Sequence, residues 1–457
     1  MKKTLLALSF AAFFGFGANA QESTSLQVFD NAVFYNMYGG LVENEPVPEG
    51  AIRLRNTTVA KPLTDEQIAA FGNTLTLNVT AASLCDNYDR IGNVNLAFVP
   101  AGQTTYEFGA VTERIELGRF ITPFMVPDGD VEVPYTWDIS HVLNILHHPV
   151  LAEQYDFWIE FEIAGYQGGP GQGGAAVEYP TICANRQDVY RGSLELVSSG
   201  TYEEQLVVFD ALSHKFELKN YTLDGTDVLG QTEKTFTFYL NQPVENAKFY
   251  FINSNHGSNS GGEEYVRRWH YVYLDNAQKL SYRPGGLSCV PFFDYNTQSN
   301  CIYYLCDGTN NTRPDTNSAW SWNNWCPGDK VPTRVVELGN LEAGEHSFKM
   351  RVPAAQFTGA QGYFPLSAYF TGEVDVLNTE TFAAAAFTIS PNPVNDVATI
   401  TANGQEIKAV SVTNTLGQVV LTGATDRLDL SALQNGIYVV RVDFANGTTG
   451  VQKIVKN

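Results

Sequence analysis

A short acidic loop at residues 85–90, Cys-Asp-Asn-Tyr-Asp-Arg, carries side chains that could do acid–base chemistry. Residues 75–79 before it and 94–98 after it are short runs of the kind that form β-strands. A tight turn between two strands would present a carboxylate, an aromatic ring and an arginine at the edge of a sheet, where binding and catalytic groups are common. The alternative is a solvated loop that is only held in place by its cysteine.

The composition predicts β-sheet domains around this loop. Aromatic residues make up 12% of the 457 residues, glycines number 39, and helical periodicity is scarce, which favours an all-β architecture. A chain of this length exceeds one ordinary core, so two or three domains are expected. The net charge of −21, from 28 basic and 49 acidic residues, disfavours nucleic acid or an anionic membrane as a partner.

Residues 1–20 are typical of a secretory signal peptide. Lys2 and Lys3 precede an apolar run at 5–17, and an Ala-Asn-Ala cleavage site follows at 18–20. The apolar run is too short for a transmembrane helix, and no later run reaches the required length. Export would permit disulfides between the cysteines.

Six cysteines leave several pairings open. Local spacing favours Cys301–Cys306 and Cys289–Cys326, which leaves Cys85 with Cys183. A zinc site is a weaker interpretation, because no Cys-x-x-Cys pair occurs and no histidine lies at ligand spacing from one.

Strand-length runs and shifts in composition predict the domain organisation. Thr64 and Gln67 form a capping-box pattern that predicts a short helix inside an N-terminal segment whose role the sequence leaves open. The strand count fits two eight-stranded sandwiches side by side. The predicted units are a signal peptide at 1–20, the open segment at 21–70, β-domains at 71–200 and 201–378, a linker at 379–386 and a compact C-terminal β-unit at 387–457.

The C-terminal unit resembles the sorting domain of the type IX secretion system of Bacteroidetes. The similarity lies in four stretches: Ser-Pro-Asn-Pro at 390–393, Asn-Thr-Leu-Gly-Gln-Val at 414–419, the Asn-Gly-Ile-Tyr-Val run at 435–439, and Lys-Ile-Val-Lys at 453–456. The resemblance implies export through the periplasm of a Gram-negative bacterium, with the type IX machinery as partner. The tail would then be removed or attached to a surface glycolipid. The alternative is an adhesive β-module.

Four further motifs together resemble the bacterial peptide-N-glycosidase F family over residues 70–375. They are the loop at 85–90, Gly-Arg-Phe-Ile-Thr-Pro at 118–123, the Asn-His-Gly to Glu-Glu-Tyr stretch at 255–265, and Trp-Cys-Pro-Gly with Val-Pro-Thr-Arg at 325–334. The resemblance implies two eight-stranded jelly-roll sandwiches. It also implies an amidase that cleaves asparagine from the first N-acetylglucosamine of an N-glycan.

The resemblance assigns catalytic roles to Asp89, Glu160 and Glu264, which would meet in one cleft. Neighbouring side chains of an extended chain point to opposite sides, so only one of Glu263 and Glu264 could face that cleft. The substrate-binding residues implied are Tyr88, Arg90, Glu162, His256, Tyr265, Arg268 and Trp325. Neither a metal nor an organic cofactor is called for. N-glycosylated proteins or peptides are the expected substrates, and a monomer is expected.

Several positions depart from the family pattern. Tyr88 and Tyr265 stand where the family has tryptophan, Gly262 and Val266 where it has a disulfide, and Trp322 where it has an arginine. These departures keep a second hypothesis open, a non-catalytic protein of the same fold that binds glycans or glycoproteins. A surface structural or adhesion protein is a third, which the three matching acids disfavour.

Overall fold

The computed structural model describes residues 23–103, 106, 108–111, 113–258, 262–298, 305–306, 311–312, 324–374, 387–402, 405–414, 419–445 and 449–456. The predicted signal peptide and the predicted linker lie outside these ranges. The described chain is all-β, as predicted, with a few short helices.

The first half of the chain forms a β-sandwich. Its strands are β1 (Ser23–Tyr35), β2 (Ile52–Arg55), β3 (Thr58–Pro62), β4 (Thr74–Ser83), β5 (Ile91–Pro100), β6 (Arg114–Ile121), β7 (Val133–Asp138), β8 (Tyr155–Ile163) and β9 (Asp188–Ser199). Its helices are α1 (Asp65–Ala69), α2 (Leu143–Leu146), α3 (Pro149–Gln154), α4 (Ala175–Glu178) and α5 (Pro180–Cys183). The Thr64–Gln67 capping box predicted for α1 is present.

The second half forms a similar sandwich with a loop insertion. Its strands are β10 (Val207–Leu218), β11 (Glu233–Leu240), β12 (Val244–Asn253), β13 (His270–Leu274), β14 (Ala277–Tyr282), β15 (Leu305–Cys306), β16 (Asn311–Thr312), β17 (Lys330–Val331), β18 (Arg334–Leu341), β19 (Gly344–Arg351) and β20 (Phe364–Glu373).

Both sandwiches have jelly-roll connectivity. In the second, the sheet β10-β20-β12-β18 faces the sheet β11-β19-β13-β14. In the first, β1-β9-β4-β7 faces β6-β5-β8-β3, and β2 and β17 extend the second sheet at its two edges. When β2 in the first half and the two-residue β15, β16 and β17 in the second are left out, each half has eight strands. The first, eighth, third and sixth then form one sheet, and the fifth, fourth, seventh and second form the other. The N-terminal segment therefore supplies strands to the first sandwich.

The C-terminal unit is a small separate sandwich, as predicted. Its strands are β21 (Thr388–Ser390), β22 (Val397–Thr401), β23 (Ile407–Asn414), β24 (Val419–Gly423), β25 (Arg427–Asp429), β26 (Gly436–Phe444) and β27 (Thr449–Lys456). They form the sheets β21-β22-β25 and β24-β23-β26-β27. Phe387, Leu430 and Val440 belong to a core of its own.

The two large sandwiches meet through a buried polar layer. Arg119 on β6 has no solvent exposure and forms a bidentate ion pair with Glu116, with N–O distances of 2.7 and 2.6 Å. The same guanidinium donates to Ser254 Oγ and to the Pro365 carbonyl of the second sandwich, both at 2.8 Å. Ser367 donates to Glu116 from the opposite side. Five buried groups thus fix how the sandwiches face each other.

A short strand of the second half, β17, pairs with a sheet of the first half and reinforces this layer. Lys330 and Val331 of β17 pair with Phe120 and Arg119 of β6, so the second half adds an edge strand to a sheet of the first. Gly328, with φ of +99°, makes the turn that lets its N–H donate to the Ile121 carbonyl at 2.9 Å. The position of the segment around Trp325 is therefore set by the first sandwich.

We expect Arg119→Met to lower the free energy of unfolding by about 3–5 kcal/mol, because it leaves Glu116 buried and unpaired. Chemical denaturation measures the loss. Arg351→Met is the control: its pair with Glu233 is largely exposed, so a loss of about 1 kcal/mol or less is expected. The double variant Glu116→Gln/Arg119→Met should recover part of the loss. Equal stability of Arg119→Met and the control would contradict the central role of this pair.

Candidate active site

A disulfide and the hydrogen bonds of Asp86 hold the acidic loop at 85–90 in place. Cys85 forms the predicted disulfide with Cys183. The buried Asp86 carboxylate accepts hydrogen bonds from Arg90 Nε at 2.6 Å, from the Tyr88 amide at 3.0 Å and from the Tyr166 amide at 2.6 Å. Asp86 is therefore a structural acid that fixes the Arg90 guanidinium.

A second clamp comes from the end of β6. Thr122 donates its amide to the Arg90 carbonyl at 2.8 Å and accepts the Arg90 amide on Oγ1 at 2.7 Å. The Tyr190 hydroxyl donates to the Tyr88 carbonyl at 2.8 Å. These bonds fix the backbone on both sides of Asp89, whose side chain is partly buried. The Gly-Arg-Phe-Ile-Thr-Pro motif thus supplies both the interface arginine and the clamp on this loop.

Glu264 comes from a 3₁₀ turn, Glu263–Tyr265, in the second sandwich. The two adjacent acids lie in different environments, and the turn that carries them is helical rather than extended. Glu263 is fully buried and pairs with Arg268 at 2.9 Å, which makes Arg268 a structural partner rather than a free binding group. Glu264 is only partly buried, and its Oε2 accepts the Gly257 amide at 3.2 Å.

Asn324 holds this turn in place where the family has a disulfide. Its side-chain amide donates to the carbonyls of Glu263 at 3.1 Å and of Glu264 at 2.6 Å. Asn324 directly precedes Trp325 and Cys326, and Cys326 forms the predicted disulfide with Cys289. The turn therefore remains anchored without the missing cysteines. Of the third predicted pair, Cys301 and the Cys306 side chain lie outside the described residues, and that pair stays a prediction.

Electrostatics show that Asp89 and Glu264 lie close together. Burial raises the pKa of Asp89 to about 6, although the charge of Arg90 and a hydrogen bond from the Trp325 side chain lower it. Burial and the charge of Asp89 raise the pKa of Glu264 to about 7, against the hydrogen bond from Gly257. Two carboxyl groups from different sandwiches thus share one poorly solvated site, where one can be ionised while the other is protonated.

Aromatic rings surround this acid pair. Trp325 is buried, and its ring centroid lies 4.6 Å from that of His256. Burial and the nearby Arg119 lower the pKa of His256 to about 3, so the imidazole is neutral near pH 7. Tyr88 and Tyr265 are 40% and 38% exposed, and both rings can contact a ligand.

The His256 ring is tied to the interface layer. Its Nε2 lies 2.7 Å from Ser254 Oγ, the same hydroxyl that accepts from Arg119. His256 therefore links the buried arginine to Trp325, which in turn hydrogen-bonds Asp89. The neutral, partly exposed His256 ring is placed to position Trp325, and its predicted role as a binding residue stays a prediction.

Glu160 does not join the acid pair. Its fully buried carboxylate is held by Arg114 at 2.9 and 3.1 Å, by the Tyr106 hydroxyl and by Asn95. Asn95 is the residue of β5 opposite Glu160. It lies four residues, or about 13 Å, beyond Ile91, where β5 begins after the loop that carries Asp89. The cleft shared by three acids, which sequence analysis expected, is in the structure a site of two. The catalytic role of Glu160 stays a prediction that its position does not favour.

Glu162 lies two residues along β8 from Glu160, on the side nearer to the acid pair, and it also forms ion pairs. Its carboxylate contacts Lys215 at 2.7 Å and Arg55 at 3.2 Å, opposite Asn93 on β5. Burial alone would raise the pKa of Glu162, but these two cations outweigh it and lower the pKa. Glu162 is therefore a permanent anion that joins the two sandwiches, and binding of substrate there would require one of its partners to leave.

The described part of the chain brings together no group of three or more His, Cys, Asp or Glu side chains that could hold a metal ion. His147 stacks on Tyr202 and His148 caps α3, so both have structural contacts. Within the same ranges no helix is long and apolar enough to cross a bilayer.

Three regions of the chain match known families. Residues 25–170 match the family described as peptide-N-glycosidase F, N terminal, and residues 226–371 match peptide-N-glycosidase F, C terminal. Residues 388–457 match the secretion system C-terminal sorting domain, which indicates secretion or attachment to the cell surface.

Individual relatives agree with these matches. The chain is 26% identical over 299 residues to peptide-N(4)-(N-acetyl-beta-D-glucosaminyl)asparagine amidase F of Elizabethkingia miricola, which covers 62% of this chain and 69% of that one. Two crystal forms of PNGF-II superpose with TM-scores of 0.53 and 0.52, at 20% and 19% identity over 77% of this chain. They are covered to 66% and 65%, so the chain spans about two thirds of PNGF-II. At this identity the structural likeness supports the fold alone.

We expect Glu264→Gln to stabilise the protein at pH 8 by about 1–2 kcal/mol, a figure reduced because the side chain is partly exposed. The pKa of Glu264 is raised by folding, so the folded state holds this proton more tightly. That advantage is complete below about pH 4 and is lost as the pH rises to about 7, where the ionised form costs stability.

Thermal unfolding at pH 4 and pH 8 measures this difference. The gain of Glu264→Gln over the parent should grow from near zero at pH 4 to its full size at pH 8. The exposed Glu342→Gln is the control and should change little at either pH. A Glu264→Gln variant that is no more stable than its parent at pH 8 would show that Glu264 lies in water rather than beside Asp89.

Proposed function

Because this chain belongs to the peptide-N-glycosidase F family, we propose that it hydrolyses the amide bond between asparagine and the first N-acetylglucosamine of N-linked glycans. The observation that carries the proposal is the coupled pair of carboxyl groups, Asp89 and Glu264, which come from different sandwiches. Their raised pKa values differ by about one unit. Between the two values, one acid is mostly ionised and the other mostly protonated, as general base and general acid require.

Asp89 has the lower pKa and acts as the base. It takes a proton from a water molecule whose oxygen attacks the side-chain carbonyl carbon of the glycosylated asparagine. Glu264 donates its proton to the amide nitrogen as the carbon–nitrogen bond breaks. The products are an aspartate in the polypeptide and a glycan that carries the nitrogen as an amine. Arg90, fixed by Asp86, lies beside this pair and stabilises the negative charge that develops on the carbonyl oxygen.

The surrounding rings fit a sugar. Tyr88 and Tyr265, 40% and 38% exposed, directly adjoin Asp89 and Glu264 in the chain, and sugars stack their C–H faces on such rings. The hydroxyls at the rims of the two tyrosines can hydrogen-bond sugar hydroxyls. A tyrosine in place of each family tryptophan gives a smaller face, which should alter the preference among glycans.

The binder hypothesis receives less support from the geometry. It drew on the loss of the disulfide at 262 and 266, which would loosen the turn that carries Glu264. Asn324 and the Glu263–Arg268 pair hold that turn instead. A protein that only binds glycans would also have no use for two carboxyl groups with raised pKa values.

Asp89→Asn is expected to lower the rate of glycan release by at least about 10³-fold while leaving the fold intact, because it removes the base. A denatured glycopeptide is incubated in heavy-oxygen water and analysed by mass spectrometry. The parent should release the glycan and leave aspartate that carries one heavy oxygen. Asp156→Asn, an exposed acid on β8, is the matched control and should keep full activity. Continued release by Asp89→Asn would remove this residue from the mechanism, and inactivity of the parent would favour the binder.

The rate of release should show a bell-shaped dependence on pH, with limbs near the two pKa values of about 6 and about 7. Activity rises as Asp89 loses its proton and falls as Glu264 loses its own. In Glu264→Gln the alkaline limb should disappear and the residual activity should be low. The acid limb should stay near pH 6, because Glu264 is still protonated and uncharged while Asp89 loses its proton. An unchanged alkaline limb in this variant would contradict the assignment of Glu264.

A further inference from the structure

A surface loop beside the acid pair exposes three large apolar side chains. In the loop at 36–42, Met37 is 45% exposed, Tyr38 is 73% exposed and Leu41 is 56% exposed. Tyr38 has the highest exposure of the large hydrophobic residues that the structure describes. A cluster of apolar side chains that remains in water usually marks a binding surface.

The loop is rigid, so the exposure is built into the fold. The buried Asn56 side chain donates to the carbonyls of Asn36 at 2.9 Å and Gly40 at 3.0 Å, and it accepts the Val42 amide at 2.9 Å. The Asn36 side chain accepts the Tyr38 amide at 2.9 Å. These bonds give the loop one conformation, in which the three apolar side chains point away from the core.

The loop is continuous with the proposed catalytic loop. The Tyr38 ring packs edge-on against Tyr166, with the centroids 5.2 Å apart. The Tyr166 amide donates to Asp86 at 2.6 Å, and the Arg90 guanidinium donates to the Tyr166 carbonyl at 3.4 Å. The same guanidinium lies 5.3 Å from the Tyr88 ring. One chain of contacts therefore runs from Tyr38 to the residue next to Asp89.

We propose that the loop at 36–42 is a docking surface for an apolar segment of the polypeptide that carries the glycan. The inference rests on the proposed function, since it names the part of the substrate that binds beside the acid pair. A chain held there reaches the acids within a few residues. The substrate class is then flexible or unfolded glycopolypeptide with apolar residues close to the glycosylated asparagine.

The hydrogen bonding of the loop favours polypeptide over sugar as the occupant. A sugar subsite needs polar groups beside its ring platform, because sugar hydroxyls lose their water on binding. The polar side chains of Asn36 and Asn56 form hydrogen bonds to backbone groups of the loop itself, so these bonds are not directed at a ligand. Of Met37, Tyr38 and Leu41, two side chains are wholly apolar and the third adds a single hydroxyl to an aromatic ring, a composition that matches apolar side chains better than a sugar.

The test compares two glycopeptides with the same glycan, one with leucine and phenylalanine and one with serine and glycine on either side of the asparagine. For the triple variant Met37→Ser/Tyr38→Ser/Leu41→Ser, we expect kcat/KM on the apolar peptide to fall roughly tenfold, mainly through KM. On the serine–glycine peptide it should stay within about twofold. Tyr38→Phe should behave as the parent. Tyr239→Ser, at a 60% exposed tyrosine on β11 of the second sandwich, is the matched control and should lose nothing.

Equal losses on both peptides, or no loss on either, would overturn the docking surface. Failure of the parent to release either glycan would instead overturn the proposed function. Docking is then tested separately, by fluorescence anisotropy of the labelled apolar peptide without its glycan. Binding to the parent that the triple variant loses supports the surface, and equal binding to both overturns it.

Discussion

The buried ion pair between Glu116 and Arg119 is the constraint on which this site depends. The two acids of the site come from different sandwiches, so their separation is only as well defined as the contact between those sandwiches. That contact combines apolar packing with a buried polar layer, in which Arg119 bonds Ser254 and Pro365, and Ser367 bonds Glu116. The apolar contacts have little directional preference of their own. Directional bonds to a buried guanidinium have one good geometry, and they pass it to His256 through Ser254.

The same burial that fixes the geometry also sets the chemistry. Removing Asp89 and Glu264 from water raises the pKa of each, and the charge of Asp89 raises the pKa of Glu264 further. Three other acids each have a cation beside them: Glu116 has Arg119, Glu160 has Arg114 and Glu162 has Lys215. For Glu162, the nearby Lys215 and Arg55 lower the pKa despite its burial. Asp89 differs because its cation, Arg90, is shared with Asp86, and the effect of burial on its pKa then prevails.

The sequence predicted what is local and missed what is distant. The all-β class, the capping box at Thr64 and two disulfides follow from short patterns. The clamp of Thr122 on Arg90 spans 32 residues, and the bond from Arg119 to Ser254 spans 135, so neither leaves a local signal beyond the motif in which each residue sits. The position of Glu160 is distant in the same sense: a strand motif shows that an acid is present, but the register with β5 decides how far along the strand it lies from Asp89.

A two-acid site accounts for the departures from the family pattern better than a three-acid site. If Glu160 took part, its bonds to three partners, Arg114, Tyr106 and Asn95, would have to open in each cycle, and Arg114 would be left buried without a counter-ion at a cost of several kcal/mol. Asp89 and Glu264 need no such opening. They need their two loops to stay in register, and each loop has its own restraint: Thr122 and the Cys85–Cys183 disulfide for one, Asn324 and the Glu263–Arg268 pair for the other. On the proposed function, Gly262 and Val266 can stand where the family has a disulfide, because these other restraints hold the turn.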